Sequence, residues 1–307
     1  MTGAEAEEIL DRIAASFVNP LRSPILWTPA DAGLEFESVT FPSADGVPLE
    51  GWFIHADSDR LVIANHPMGF SRAGQPTSRE PWQSIWGPSG NTMDVNFIPD
   101  YKILHDAGYN VLTYDLRNFG LSGAANGGSV TSGLLEARDV IGSVRYAKQR
   151  SDTAAMRTAL FSRCLGANST LGAMRDAPEE FAHLKGLVAC QPVSDPVIMS
   201  KLLDIVGVGR DRLADLDERV IRGTSVTFGA RPGTAWTRYV TVPTYLYAVR
   251  HDSLTEPEDI ETGFEALGTK DKTLYWVEDS TRRWDGYLEF QRRPQPILDW
   301  LDAHIDG

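Results

Sequence analysis

The chain has 307 residues, of which 29 are lysine or arginine and 42 are aspartate or glutamate, so its formal net charge at pH 7 is −13. This acidic balance argues against a nucleic-acid-binding surface, which needs clustered basic residues. With 42% hydrophobic residues the composition is typical of a globular protein, and the length permits one large α/β domain or two small ones. The two cysteines, Cys164 and Cys190, cannot form a disulfide framework and favour a reducing compartment.

The N-terminal segment predicts an amphipathic helix over residues 4–18, where Ile9, Leu10, Ile13 and Phe17 recur near helical spacing. It lacks the basic region and apolar stretch of a secretory signal. The sequence also has no run of about 18 apolar residues, the length needed to span a bilayer. We therefore expect a cytoplasmic protein that does not act at a membrane.

Strand and helix patterns alternate along most of the chain. Two short strands, residues 38–41 and 49–55, flank an Asp45-Gly46 dipeptide typical of a hairpin turn. Apolar runs that predict buried strands follow at residues 61–65, 110–114, 158–161, 186–190, 244–248 and 273–277. Helices are predicted at residues 97–107, 134–148, 165–174, 257–267 and 290–305. This alternation indicates βαβ units and a mostly parallel sheet.

Two segments interrupt the alternation. Residues 196–240 contain apolar helical spacing and a charged helical run, and we interpret them as a helical insertion between residues 1–195 and 241–307. Residues 69–96 form a connection that is long for a compact domain, and such loops are usually functional or disordered. Two tryptophans in this loop favour an ordered, packed structure.

The most informative motif is LFSRCLGA at residues 160–167, where a buried strand runs into a helix. Small residues two positions before and after Cys164 match the spacing of a nucleophile elbow. The thiol would lie at a helix N-terminus, whose partial positive charge favours the thiolate. The alternative is a buried structural cysteine, which is the usual state of a free cysteine and the one we expect for Cys190.

Three further segments resemble α/β-hydrolases of the dienelactone-hydrolase type. Residues 43–52 (SADGVPLEGW) are similar to the opening hairpin of that family, residues 66–69 (HPMG) to its oxyanion loop, and residues 107–123 (AGYNVLTYDLRNFGLSG) to the strand and loop that follow. A cysteine at the elbow is the dienelactone-hydrolase variant. The resemblance implies an α/β-hydrolase fold with a mostly parallel eight-stranded sheet flanked by helices, and residues 196–240 as a helical lid.

The resemblance also implies roles for several residues. The N–H groups of Met68 and Leu165 would form the oxyanion hole. The family order of nucleophile, acid and histidine places the acid after the strand 244–248 and indicates Asp252, which would orient an imidazole. Asp195 is an alternative acid, and Asp252 could instead be a solvated turn residue.

The histidine departs from the family pattern. Members often read Thr-His-Phe-Asp-x-Tyr after the last strand, whereas residues 282–287 read RRWDGY, which puts Arg283 at the histidine position. His251, in the loop of the predicted acid, and His66, in the oxyanion loop, are the other candidates for a base. Each is alternatively a hydrogen-bonded structural histidine.

A missing base affects a cysteine less than a serine, because some thiolate exists near neutral pH. Nearby Arg163 or Arg283 would enlarge the thiolate fraction. Hydrolysis of a thioester intermediate still needs a base to activate water, so an efficient ordinary esterase is not expected. Three options stay open: acyl transfer or slow hydrolysis of an ester, lactone or thioester through Cys164; lyase, isomerase or cyclase chemistry; or ligand binding without catalysis.

The sequence indicates the kind of substrate only broadly. An apolar pocket is predicted from four large side chains, each of which alone is more often core: Trp82, Trp86, Trp284 and Met199. We expect an apolar acyl compound or a carrier-bound thioester, and no cofactor. No His, Cys, Asp or Glu cluster has metal-ligand spacing. The oligomeric state is open, with a homodimer among the options.

Overall fold

The computed structural model describes residues 2–306, and an eight-stranded sheet runs through its centre. The strands in chain order are β1 (Glu37–Pro42), β2 (Pro48–Ile54), β3 (Arg60–Asn65), β4 (Gly74–Gln75), β5 (Val95–Asn96), β6 (Asn110–Tyr114), β7 (Arg157–Arg163), β8 (Gly186–Cys190), β9 (Thr244–Val249) and β10 (Lys272–Val277). The main sheet has the order β1-β2-β6-β3-β7-β8-β9-β10, and β4 pairs with β5 separately. Only the β1–β2 and β2–β6 pairs of the main sheet are antiparallel. The predicted mostly parallel sheet of eight strands is confirmed.

Helices cover both faces of this sheet. They are α1 (Gly3–Ser16), α2 (Trp82–Trp86), α3 (Ile98–Asp106), α4 (Ala137–Gln149), α5 (Leu165–Asp176), α6 (Pro178–Phe181), α7 (Asp195–Ile205), α8 (Leu213–Thr224), α9 (Pro257–Ala266), α10 (Arg283–Arg292) and α11 (Gln295–Ile305). Residues of β3 alternate between the two faces, as a strand buried on both sides requires. Leu61 and Ile63 pack with α4, α5 and α9, whereas Val62 and Ala64 pack with α3, α10 and α11.

The last helical region differs from the prediction. A single helix over residues 290–305 was expected, but α10 begins at Arg283 and α11 begins at Gln295. The break lies at Arg293, whose φ of −137° and ψ of 70° are not helical. The following Pro294 disfavours helical geometry in the residue before it. The earlier start of α10 places Arg283 in a buried first turn.

The insertion 196–240 packs against the N-terminal helix. Helices α7 and α8 share a buried apolar cluster with α1 that includes Leu10, Phe17, Leu203 and Val220. Arg219 of α8 also forms ion pairs with two acidic residues of α1. The N-terminal helix and the insertion therefore form one helical layer.

Helix α5 passes very close to the end of β3 at Gly166. A Cβ atom at this position would lie 2.6 Å from Asn65 Cβ and 2.8 Å from the Asn65 carbonyl group. Backbone atoms cannot move aside as a flexible side chain can, so a larger residue overpacks the contact.

We expect Gly166→Ala to lower the free energy of unfolding in urea by about 1–3 kcal/mol. The matched control is Gly229→Ala, because a Cβ atom at Gly229 has nothing within 4 Å; its effect should stay within about 0.5 kcal/mol. Equal effects at the two positions would contradict the close approach of α5 to β3.

Candidate active site

Cys164 occupies a strained turn between β7 and α5. Its φ of 48° and ψ of −109° lie in a region that non-glycine residues rarely adopt. The turn is held by two backbone bonds of 2.8 Å: the Cys164 N–H donates to the Cys190 carbonyl, and the Cys164 carbonyl accepts from the Asn168 N–H. This is the geometry of a nucleophile elbow, with the cysteine at its tip.

Small residues make the elbow possible. Ser162, two positions before Cys164, is fully buried, and its hydroxyl bonds Asn65 Nδ2 at 2.8 Å and Thr170 Oγ1 at 2.9 Å. Gly166, two positions after, lets the helix approach β3 and donates its N–H to the His66 carbonyl at 3.1 Å. The elbow and the loop after β3 are thus joined directly.

That join brings two backbone donors to one side of the elbow. Within residues 2–306, the N–H groups of Met68 and Leu165 donate no hydrogen bond to another residue. Met68 follows the His66 carbonyl that Gly166 binds, and Leu165 begins α5 next to Cys164. Two unused N–H groups beside a nucleophile are what an oxyanion hole requires.

Arg283 and Asp252 form a buried ion pair next to Cys164. Arg283 Nη1 donates to Asp252 Oδ2 at 2.8 Å, and the two side chains are 2% and 1% exposed. The Cys164 side chain is a further hydrogen-bond partner of Arg283. The structure therefore brings together Cys164, Arg283 and Asp252, three residues that the sequence singled out.

Tyr287 is a fourth member of this group, and sequence analysis did not identify it. Its hydroxyl accepts a 2.9 Å bond from Arg283 Nε and is also a side-chain partner of Cys164. Burial raises the pKa of Tyr287 well above its ordinary value, although the charge of Arg283 opposes this shift. Arg283 and Tyr287 are four residues apart on α10 and so share one helix face. That spacing would have indicated Tyr287 had the helix been predicted to begin at Arg283.

Gln191 fixes the start of α10 and was also missed. Its carbonyl accepts from Arg283 Nη2 at 2.7 Å, and its side-chain amide donates to the Arg283 carbonyl at 2.9 Å. Gly286 permits this contact, because a Cβ atom there would lie 2.6 Å from the Gln191 amide. The guanidinium therefore donates to Asp252, Tyr287 and the Gln191 carbonyl.

The two candidate histidines do not join this group. His66 Nε2 accepts from the Leu116 N–H at 2.9 Å, and Nδ1 lies 2.8 Å from the Pro67 carbonyl, so both ring nitrogens are occupied. Burial lowers the pKa of His66, which keeps the ring neutral. His251 has a side chain that is 61% exposed and lies 3.9 Å from the Glu278 carboxylate. Neither ring is placed to exchange a proton with Cys164.

The alternative acid and the neighbouring arginine are also occupied elsewhere. Asp195 accepts from Arg231 Nη1 at 3.2 Å and from the Ser132 hydroxyl at 2.7 Å, at the base of the insertion. Arg163 Nη2 donates to Asp100 Oδ2 at 2.5 Å, beneath the sheet edge. Of the two arginines predicted to assist the thiolate, Arg283 is the one that bonds Cys164.

The predicted pocket residues divide into two groups. Trp284 is buried, and its indole lies 5.0 Å from that of Trp86 between ring centroids. Trp82 is half-buried in the same loop, 69–96. Met199 instead packs in the cluster shared by α1, α7 and α8. Three tryptophans thus lie near α10, and Met199 lies in the helical layer.

The loop 69–96 is ordered by contacts with α10. The Trp284 N–H donates to Asn91 Oδ1 at 3.0 Å, and Trp284 Nε1 donates to Thr77 Oγ1 at 2.9 Å. A broad surface depression of about 440 Å³ around His251 and Arg282 does not include Cys164. Cys164 itself is only 8% exposed, so it lies beneath a closed cover of loop and helix. Within residues 2–306, no group of three His, Cys, Asp or Glu side chains is arranged to hold a metal.

Comparisons with known proteins agree with this architecture. No family model matches the chain. The uncharacterized protein YfhR of Salmonella typhimurium is 31% identical over 147 residues, which are 48% of this chain and 42% of that protein. YfhR of Escherichia coli O157:H7 is 28% identical over 146 residues, 47% of this chain and 43% of that protein. The matched part is therefore less than half the length of these relatives.

Solved structures match over most of the chain. An esterase of Pyrococcus furiosus has a TM-score of 0.67 and 22% identity, covering 94% of this chain and 97% of that one. The α/β hydrolase GrgF of Penicillium sp. sh18 has a TM-score of 0.59 and 15% identity, covering 89% and 100%. An esterase of Exiguobacterium antarcticum has a TM-score of 0.56 and 14% identity, covering 88% and 100%. With the sheet order and the elbow, these matches establish that the chain has the α/β-hydrolase fold.

The buried pair gives a stability prediction. Asp252→Ala leaves the Arg283 guanidinium buried without its counter-ion, so we expect a loss of about 3–5 kcal/mol in the free energy of unfolding. Adding Arg283→Met to the same chain removes the orphaned charge and should restore part of this loss. Urea denaturation of both variants measures the two values.

The control is Asp279→Ala, because the Asp279 side chain is 90% exposed; its effect should be within about 0.5 kcal/mol. A loss under about 1 kcal/mol for Asp252→Ala would show that the pair is not buried as described.

Proposed function

We propose that the protein is an enzyme that forms a covalent acyl intermediate on Cys164 and passes the acyl group on, with slow release to water. One observation carries the proposal: Arg283 bonds both Cys164 and Asp252, at the position where the family resemblance implies a histidine. An arginine there supplies a fixed positive charge, whereas a histidine exchanges protons.

Formation of the intermediate needs a nucleophile and a place for negative charge. The Cys164 sulfur attacks the acyl carbonyl carbon, and the carbonyl oxygen gains charge as the tetrahedral intermediate forms. The unused N–H groups of Met68 and Leu165 are the groups that would bind this oxygen. The Arg283 charge next to the sulfur favours the reactive thiolate over the thiol.

Release of the acyl group to water is the difficult step. Although burial favours the neutral form, contacts with Tyr287, Cys164 and Asp252 hold the pKa of Arg283 well above its ordinary value. The guanidinium therefore cannot take a proton from water. The rings of His66 and His251 are not placed to do so either. A thioester on Cys164 should thus persist until a better acceptor than water arrives.

The surroundings of Cys164 support an apolar acyl group. Cys164 belongs to a buried apolar cluster that includes Phe70, Val193 and Trp284, and Ile198 of α7 packs against the same cluster. An acyl chain on the sulfur would meet these side chains rather than charged ones. Among the structural matches, two are esterases and act on the same kind of carbonyl group. An apolar ester, lactone or thioester, free or carrier-bound, is the substrate class we propose.

The test is covalent labelling with 4-nitrophenyl butyrate, whose leaving group needs no proton. We expect a stoichiometric burst of 4-nitrophenol and a butyryl adduct by intact mass, both absent in Cys164→Ala. The matched control is Cys190→Ala, which removes the other buried thiol and should still form the adduct.

Two other outcomes would contradict the proposal. Turnover that survives Cys164→Ala would remove the nucleophile role and favour lyase or cyclase chemistry in the same pocket. Saturable binding of apolar esters without adduct or turnover would favour a ligand-binding protein of this fold.

A further inference from the structure

The hydroxyl of Tyr287 has hydrogen bonds whose directions are fixed by chemistry. A guanidinium can only donate, so the Tyr287 oxygen accepts the 2.9 Å bond from Arg283 Nε. The phenol has one proton, and its second side-chain partner is Cys164. The Tyr287 O–H therefore donates to the sulfur, and the Arg283 N–H groups do the same. The sulfur is held as an acceptor, which suits a thiolate.

We infer that Tyr287 is the proton donor to the leaving group when Cys164 is acylated by an ester of an ordinary alcohol. The inference rests on the proposed acyl intermediate at Cys164. It assigns to Tyr287 the half of the reaction that a histidine performs in a Ser-His-Asp site, namely protonation of the departing oxygen. Tyr287 bonds the reacting sulfur and so is a catalytic residue in this scheme.

A cysteine enzyme needs such a donor because of leaving-group chemistry. In the tetrahedral intermediate the carbon carries both the sulfur and the alkoxy oxygen. Thiols are stronger acids than alcohols, so the thiolate leaves more readily than the alkoxide and the intermediate reverts. Protonation of the alkoxy oxygen reverses this preference. Arg283 cannot supply the proton, because its charge is held by Asp252.

The step balances in atoms and charge. The thiolate of Cys164 bonds the acyl carbon, the bond from carbon to the alkoxy oxygen breaks, and that oxygen takes the proton of Tyr287. The products are the thioester, the free alcohol and a tyrosinate, whose charge replaces that of the thiolate beside Arg283. In the second half, the tyrosinate takes a proton from the acceptor alcohol as its oxygen attacks the thioester. This returns Tyr287 and Cys164 to their starting forms.

Two properties of Tyr287 fit this role. It is fully buried, and burial raises its pKa well above the ordinary value, so the hydroxyl holds its proton at neutral pH until an alkoxide forms. A weakly acidic phenol can protonate an alkoxide but has no reason to protonate 4-nitrophenolate, which is a much weaker base. The requirement for Tyr287 should therefore depend on the leaving group.

The experiment compares wild type with Tyr287→Phe on a series of butyrate esters: 4-nitrophenyl, phenyl, trifluoroethyl and ethyl. The readout is kcat/KM, which reports the acylation step. We expect a loss of less than about 10-fold for the 4-nitrophenyl ester and a loss that grows along the series to about 100-fold or more for the alkyl esters, the range typical of general acid catalysis. The control is Tyr247→Phe, which removes a buried phenol that bonds Cys190 instead of Cys164.

The outcomes separate this inference from the proposed function. If Tyr287→Phe forms the 4-nitrophenyl-derived adduct, the variant is folded and Cys164 is competent. An equal loss across the series, or no loss, would then overturn the proton-donor role and leave Tyr287 as a positioning residue. If wild type forms no Cys164 adduct with the 4-nitrophenyl ester, the proposed function itself fails.

Discussion

The site depends on one buried ion pair, between Arg283 and Asp252. A guanidinium taken out of water is destabilising unless its charge and its donors are matched. Here Nη1 binds the Asp252 carboxylate, Nη2 binds the Gln191 carbonyl and Nε binds the Tyr287 hydroxyl. These bonds tie the first turn of α10 to the loops after β8 and β9. The same turn then carries Tyr287 onto the sulfur of Cys164.

The pair also changes what an α/β-hydrolase elbow can do. A histidine at this place would accept a proton from the nucleophile and later activate water. Arginine does neither, and it instead stabilises negative charge wherever that charge lies among Cys164, Tyr287 and Asp252. Cysteine tolerates this exchange, because its thiolate is accessible without a base. The combination of cysteine and arginine is thus chemically consistent, and it disfavours water as the acceptor.

Sequence analysis predicted the sheet and placed Cys164, Asp252 and Arg283 in one site, because residues at the carboxyl ends of parallel strands meet at one edge. It did not find Tyr287 or Gln191. Charged residues at 282 and 283 do not indicate a buried helix start, so α10 was predicted to begin at residue 290 and the spacing of Arg283 and Tyr287 carried no signal. The contacts that order the loop 69–96 join residues distant in the chain, such as Asn91 and Trp284, and no local pattern predicts them.

The most direct test is the lifetime of the acyl-enzyme formed with 4-nitrophenyl butyrate and freed of excess ester. Its decay in neutral buffer, followed by intact mass, compares wild type with Arg283→His. We predict a persistent wild-type adduct that an added alcohol or thiol discharges, and an adduct of Arg283→His that decays at least about 10-fold faster in water, because imidazole can act as a general base. A wild-type adduct that hydrolyses as fast as that of Arg283→His would contradict the claim that Arg283 takes the place of the base.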